Sequence, residues 1–226
     1  MKRNTIFITG LLVFISCFIL IPILEPVNAT SIKDRFNFVY YPNDKNLNNY
    51  TIPIDSSDEI KNIKVINNTD PSVAKIKIEN GYDFSINVKP LKQGNTIVTV
   101  EIITEEYSEE GFIECSEEKS FILNSVKYTC PIKKLKIGKT EYTNKFKKSS
   151  QYKIKKSKAI KNKKLIVKPA KDWKIKKIYL NYIKGYGIME KTLKNNKCFS
   201  SPKTGEIIII MYNTKLEITE ELYLDL

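Results

Sequence analysis

Between residues 66 and 102 hydrophobic and polar positions alternate in three short runs. Ala74, Ile76 and Ile78 share one face of the first, Ile86 and Val88 one face of the second, and Val98, Val100 and Ile102 one face of the third, with Lys, Ser, Asn or Thr between them. A period of two carried by β-branched residues predicts strands that bury one side. Asp70-Pro71 and Gly81 mark turns, and Gly94 can supply a positive φ just before the third run. Shorter aromatic or β-branched segments precede these at 36–41, 50–54 and 63–66, separated by turn formers at 42–49 and 55–58. Two more follow, at 112–115 and 120–129. No helical period of useful length occurs, so this part of the chain predicts an all-β sandwich of about seven strands.

A second series of alternating segments covers 134–139, 152–155, 165–168, 173–182, 206–212 and 216–224, and predicts another immunoglobulin-like β-sandwich. Alternation slips at Lys176-Lys177, which predicts a β-bulge or a change of face. Residues 207–211 do not alternate at all, as in a strand buried on both sides or one edge of a sandwich core.

The order of residues in the first series resembles the bacterial immunoglobulin-like domain, group 2. Its hallmark runs like S-x-x-P-S-V-A-x-V and then V-x-A-L-x-x-G-x-T-x-I-T-V. The matching residues here are Asp70 to Ile76 and Val88 to Val100, with Lys89-Pro90 where the family more often has small residues. The resemblance extends over residues 50–102 and implies an immunoglobulin-like sandwich. It implies nothing about a ligand.

At the start of the chain Lys2 and Arg3 precede an apolar run from Ile6 to Leu24, and Val27-Asn28-Ala29 follows it. A basic end, an apolar middle and a V-x-A end predict a secretory signal peptide over residues 1–29, with an uncleaved membrane anchor as the alternative. Cys17 also admits a lipoprotein reading, against which Phe14 stands where a small-to-medium aliphatic such as Leu is normal, and the apolar run continues past the Cys. Each reading places the remaining chain outside the cytoplasm, in the extracellular space or at the cell surface. That remainder suits two domains of about 100 residues.

Charge supplies the boundary between them. The whole chain of 226 residues has 38 Lys plus Arg against 25 Asp plus Glu, but the excess is local. Residues 30–132 carry 11 basic against 16 acidic side chains, residues 133–177 carry 19 against 2, and the remainder 6 against 6. The basic stretch begins at Cys130-Pro131-Ile132, a sequence suited to a linker. The predicted organisation is therefore a signal peptide at 1–29, a bacterial immunoglobulin-like sandwich at 30–132 and a Lys-rich sandwich at 133–226.

The candidate chemistry is sparse. The chain has no His, which removes the usual general base, a common metal ligand and any Ser-His or Cys-His couple. No phosphate-cradling Gly-rich motif occurs. The adjacent acids Glu105-Glu106, Glu109-Glu110, Glu117-Glu118 and Glu220-Glu221 would point to opposite faces of a strand, a poor geometry for a glycosidase pair. Glu105, Glu106, Glu109 and Glu110 offer at most a loose calcium site, without the Asp-x-Asp-x-Asp-Gly loop. No cofactor, metal or catalytic residue is expected. Cys115 and Cys130 can close a disulfide across the last hairpin of the first domain, or remain separate apolar side chains beside Cys198.

The basic stretch carries the functional expectation. Residues 145–177 interleave Lys with Phe146, Tyr152, Ile154, Leu165, Ile166, Val167 and Trp173, so apolar groups can turn inward beneath a basic face. Lys155, Lys156, Lys158, Lys161, Lys163 and Lys164 are the candidate polyanion-binding residues, unless Lys serves here only for solubility. Arg occurs only at Arg3 and Arg35, so base-specific nucleic acid readout is unsupported. The expected protein is a noncatalytic exported interaction or spacer protein, its partners anionic envelope polymer, glycan or another surface protein. Membrane contact would come only through an uncleaved N-terminal segment or the basic face. The competing expectation is a secreted glycan-active hydrolase or its carbohydrate-binding accessory subunit, recognisable by a concavity that joins two carboxylates to an aromatic side chain.

Overall fold

The computed structural model describes residues 31–54, 56, 59–79, 84–108, 111–155 and 159–226. The predicted signal or anchor, Gly81, Glu109, Glu110, Lys156 and Lys158 lie outside the described residues. The described residues are all-β, with four sheets and two short 3-10 turns, Lys45–Leu47 and Thr143–Phe146. Among the described residues no helix is long and apolar enough to cross a membrane.

The first seven strands are β1 (Arg35–Tyr40), β2 (Tyr50–Pro53), β3 (Glu59–Asn68), β4 (Ala74–Glu79), β5 (Ser85–Pro90), β6 (Gly94–Ser108) and β7 (Gly111–Lys127). They form one sheet in the order β1-β7-β6-β3 and another in the order β2-β5-β4. Alternation decides how these meet. Val98, Val100, Ile102, Phe121 and Leu123 from the larger sheet share one buried cluster with Ile52, Ala74, Ile86 and Val88 from the smaller. Ile76, expected in this core, is only half-buried against it. The strand order is that of a constant-type immunoglobulin sandwich, with the first strand moved across to pair in parallel with the last.

The turn that enters β4 is held by its own polar residues. Ser72 N donates to Asp70 Oδ1 at 3.0 Å, Asp70 N to Thr96 Oγ1 at 2.8 Å and Thr96 Oγ1 to Asn68 Oδ1 at 2.6 Å. Leu91 N donates to Val73 O at 2.8 Å and closes the same corner. Gly94 sits against it with φ +152°, and a Cβ there would lie 2.9 Å from Val73 Cγ2.

The remaining strands are β8 (Ile132–Ile137), β9 (Thr140–Glu141), β10 (Gln151–Lys153), β11 (Ile160–Pro169), β12 (Trp173–Lys184), β13 (Gly187–Thr192), β14 (Cys198–Ser201), β15 (Glu206–Asn213) and β16 (Ile218–Asp225). Their sheets have the orders β10-β16-β15-β12-β13 and β14-β11-β8-β9. Here too an early strand, β10, pairs in parallel with the last, β16. The expected slip in β12 is a register shift between Ile175 and Lys177. In the non-alternating run Ile207, Ile208, Ile209 and Met211 are all buried.

Three residues of the first series, Val39, Tyr41 and Tyr128, belong to the second buried cluster. The rings of Tyr41 and Tyr128 stack with centroids 4.7 Å apart, and Tyr128 OH donates to Phe146 O at 2.7 Å. Asn37 Nδ2 adds a bond to Leu216 O at 3.3 Å. The two halves therefore share apolar as well as polar contacts.

Candidate polyanion-binding face

In the sheet β14-β11-β8-β9, Leu135, Ile137, Leu165 and Val167 point into the core. Period two then turns Lys134 and Lys136 of β8, and Lys164, Ile166 and Lys168 of β11, to the other face. Lys134 lies directly opposite Lys168, and Lys136 opposite Ile166. Opposed side chains are about 5 Å apart at Cβ, and neighbours along a strand on one face about 7 Å. Among the described residues none of these four lysines is ion-paired, whereas Lys153 pairs with Asp225 and Lys177 with Glu190. Glu141 of β9 stands at the edge of the face, opposite Lys136. Asn195 fixes the strand beneath, accepting from Val167 N at 2.9 Å and donating to Val167 O at 2.8 Å.

Of the six lysines singled out from the sequence, the four among the described residues do not share one face. Lys164 lies on the outer face just described, but Lys163 points to the opposite side and passes over Gly138. Lys161 lies within the register shift between Ile160 and Lys163, next to Asn162 with φ +44°, and Lys155 stands in the turn after β10. Lys134, Lys136 and Lys168 were not among the six, because runs of consecutive lysines conceal which members share a face.

The Cys115–Cys130 bridge is absent, since both thiols are free. Cys115 lies within β7 opposite Thr104, while Cys130 follows the end of that strand and donates to Ile132 O at 3.4 Å. The residues from Cys115 to Lys127 are extended at about 3.3 Å each, a span several times the 4.4–6.8 Å Cα separation that a disulfide requires.

Two other places bring chemistry together. A shallow concavity of about 460 Å³ on the outer face of β10-β16-β15 is lined by Gln151, Tyr152, Lys153, Glu206, Tyr223 and Asp225. Glu206 lies directly opposite Asp225, and its pKa is raised by desolvation and then by that neighbour. Asp225 is held by Lys153 at 2.9 Å, and Tyr223 OH donates to Glu221. The two carboxylates beside the Tyr223 ring meet what the hydrolase expectation asks for, reached across strands rather than within an adjacent pair, while Tyr152, opposite Leu224, packs against the core.

At the junction of the two halves, Glu220 is buried and accepts a hydrogen bond from Tyr41 OH. Desolvation pushes its carboxyl up to about 7, against the pull of hydrogen bonds from Tyr41 and Ser150. Glu220 and Glu221 take opposite faces of β16, as adjacent strand residues should, and Glu220 has the inward position between Ile218 and Leu222. That alternation was the available signal. Among the described residues no group of His, Cys, Asp or Glu side chains is placed to hold a metal ion.

No protein-family model matches the chain, and no curated protein matches it. Among solved structures the chain is similar to a SusE-like surface located polysaccharide binding protein from the Bacteroides thetaiotaomicron heparin utilisation locus, with 10% identity and a TM-score of 0.30 over 86% of this chain and 88% of that one. At that identity and score the likeness assigns neither a ligand nor a role to this chain.

Proposed function

We propose that the protein is a noncatalytic, exported or cell-surface binding and spacer protein. On this reading it has two immunoglobulin-like domains, 30–132 and 133–226, the first of the bacterial group 2 type. The second contacts anionic envelope polymer through Lys134, Lys136, Lys164 and Lys168. The observation that carries the reading is the unpaired Lys134–Lys168 opposition with two further lysines on the same sheet face. Like charges directly opposed destabilise a sheet, and a phosphate-bearing polymer laid along the face would relieve that repulsion. Isothermal titration of the full chain with purified teichoic acid is the test. Replacing the four lysines together by Gln should lower affinity at least tenfold while leaving thermal stability unchanged or higher. Undiminished affinity in that variant would reject the face.

A second reading rests on the concavity at Glu206, Asp225, Tyr152 and Tyr223. Two opposed carboxyls, with that of Glu206 raised by desolvation and by its neighbour and that of Asp225 held by Lys153, beside the Tyr223 ring suit a bound sugar. Glycan-array binding that disappears in Tyr223→Ala would support a carbohydrate site there. Hydrolysis of a bound glycan, lost in Glu206→Gln, would replace the noncatalytic reading.

A further inference from the structure

Two hairpin tips carry the most exposed large apolar side chains among the described residues. On the β6–β7 hairpin Tyr107 is 81% exposed and meets Phe112, 70% exposed, edge to face at 5.5 Å between ring centroids. On the β12–β13 hairpin Tyr186 is fully exposed, and Ile183 and Ile188, 64% and 78% exposed, lie directly opposite each other. Gly185, with φ +63°, makes the tight turn that projects them. Apolar groups concentrated at tips of this kind mark contact surfaces.

The charges around the two tips are opposite. Glu106 and Glu114 flank the first without an ion pair, while Glu105 is already held by Lys61 at 2.7 Å. Lys184 and Lys191 flank the second without an ion pair, while Glu190 is held by Lys177 at 2.8 Å.

Strand direction places the tips at opposite ends of the molecule. β7 runs from its tip at Gly111 to Lys127, next to Tyr128 in the second core, so that tip stands roughly 55 Å from the junction at about 3.3 Å per residue. β12 starts at Trp173, opposite Asn213 and near the β15–β16 turn, where Leu216 O bonds Asn37. From there it runs away from the junction over 12 residues, roughly 40 Å, to Lys184. The two tips of one chain therefore cannot meet. Two identical tips would oppose like charges, whereas unlike tips match in both apolarity and charge.

We infer that the β6–β7 tip of one copy docks on the β12–β13 tip of the next, so that the chains associate head to tail. A heterologous contact made end to end between opposite poles extends into a linear series wherever its rotation does not close a ring. Two tips bury far less than the ~1,600 Å² of a standard interface, so the association is weak and needs a high local concentration.

Sedimentation velocity of the full chain at rising concentration tests this. The expected result is a mean mass that grows past the dimer in low salt and falls back in high salt. Tyr107→Ser with Phe112→Ser, and separately Tyr186→Ser with Ile188→Ser, should each leave a monomer. An equimolar mixture of the two variants, each retaining one intact tip, should form a 1:1 complex that grows no further. A monomer at every concentration, a dimer that persists in either variant, or association indifferent to both variants would overturn the inference. A monomer captured by phosphatidylglycerol vesicles through Tyr186 and Ile188 would overturn it in favour of a lipid surface.

Discussion

Glu220 ties the stability of the junction to pH. Its carboxyl stands at about 7 against an ordinary 4.5, so between those values the folded protein retains a proton that the unfolded chain has released. Stability is then greatest below pH 4.5, falls as pH rises through the window to about 7, and levels above it; the total is about 3 kcal/mol. Urea unfolding between pH 4 and 8 should show this slope in the native chain and lose this contribution in Glu220→Gln. An unchanged slope in that variant would assign the dependence to other groups. Val98, with no exposed surface, makes a second residue-scale prediction. Val98→Asp should cost on the order of 4–5 kcal/mol, because a lone carboxylate would sit between the two sheets of the first sandwich. Retained thermal stability would refute its place in the core. Both positions were readable from alternation, but the consequence for Glu220 was not. Its partners Tyr41 and Ser150 are remote in sequence, and only the parallel pairing of β1 with β7 and of β10 with β16 brings them to it.

At the scale of elements, the alternating runs became strands wherever one face is buried. The segments at 112–115 and 120–129 are a single strand, β7, because the polar interval Ser116-Glu117-Glu118-Lys119 continues the ladder with β6 in solvent. β13 was not legible because all six of its residues are exposed, and β14 because its four residues include only one large apolar side chain, Phe199. The lysine face was obscured for a related reason. The shift between Ile160 and Lys163 resets which side chains point outward, and nothing in a Lys-rich run announces it. Gly94, by contrast, was legible as a residue needing positive φ. Gly94→Ala should lower stability by about 1–3 kcal/mol through backbone strain and the Val73 contact, measurable as a fall in Tm. The straightness of β7 gives another test. Alkylation of the chain unfolded without reductant should label Cys115 and Cys130 alike, and protection of both would indicate the bridge.

For the whole molecule, the basic excess found in residues 133–177 is spread over several surfaces, and its unpaired concentration on one sheet is what the proposed function uses. The all-β class followed from periodicity alone, whereas the contact between the halves centres on Val39, Tyr41 and Tyr128, which continue one series into the core of the other. The most direct measurement is the salt dependence of teichoic acid affinity, compared between the native chain and the variant with Lys134, Lys136, Lys164 and Lys168 changed to Gln. Cation release from a polyanion makes log affinity fall linearly with log salt, by roughly 0.7 for each contact to a flexible phosphate chain. The native slope should be steeper than that of the variant by about 2 to 3. Equal slopes and equal affinities in the two proteins would contradict the lysine face as the binding surface.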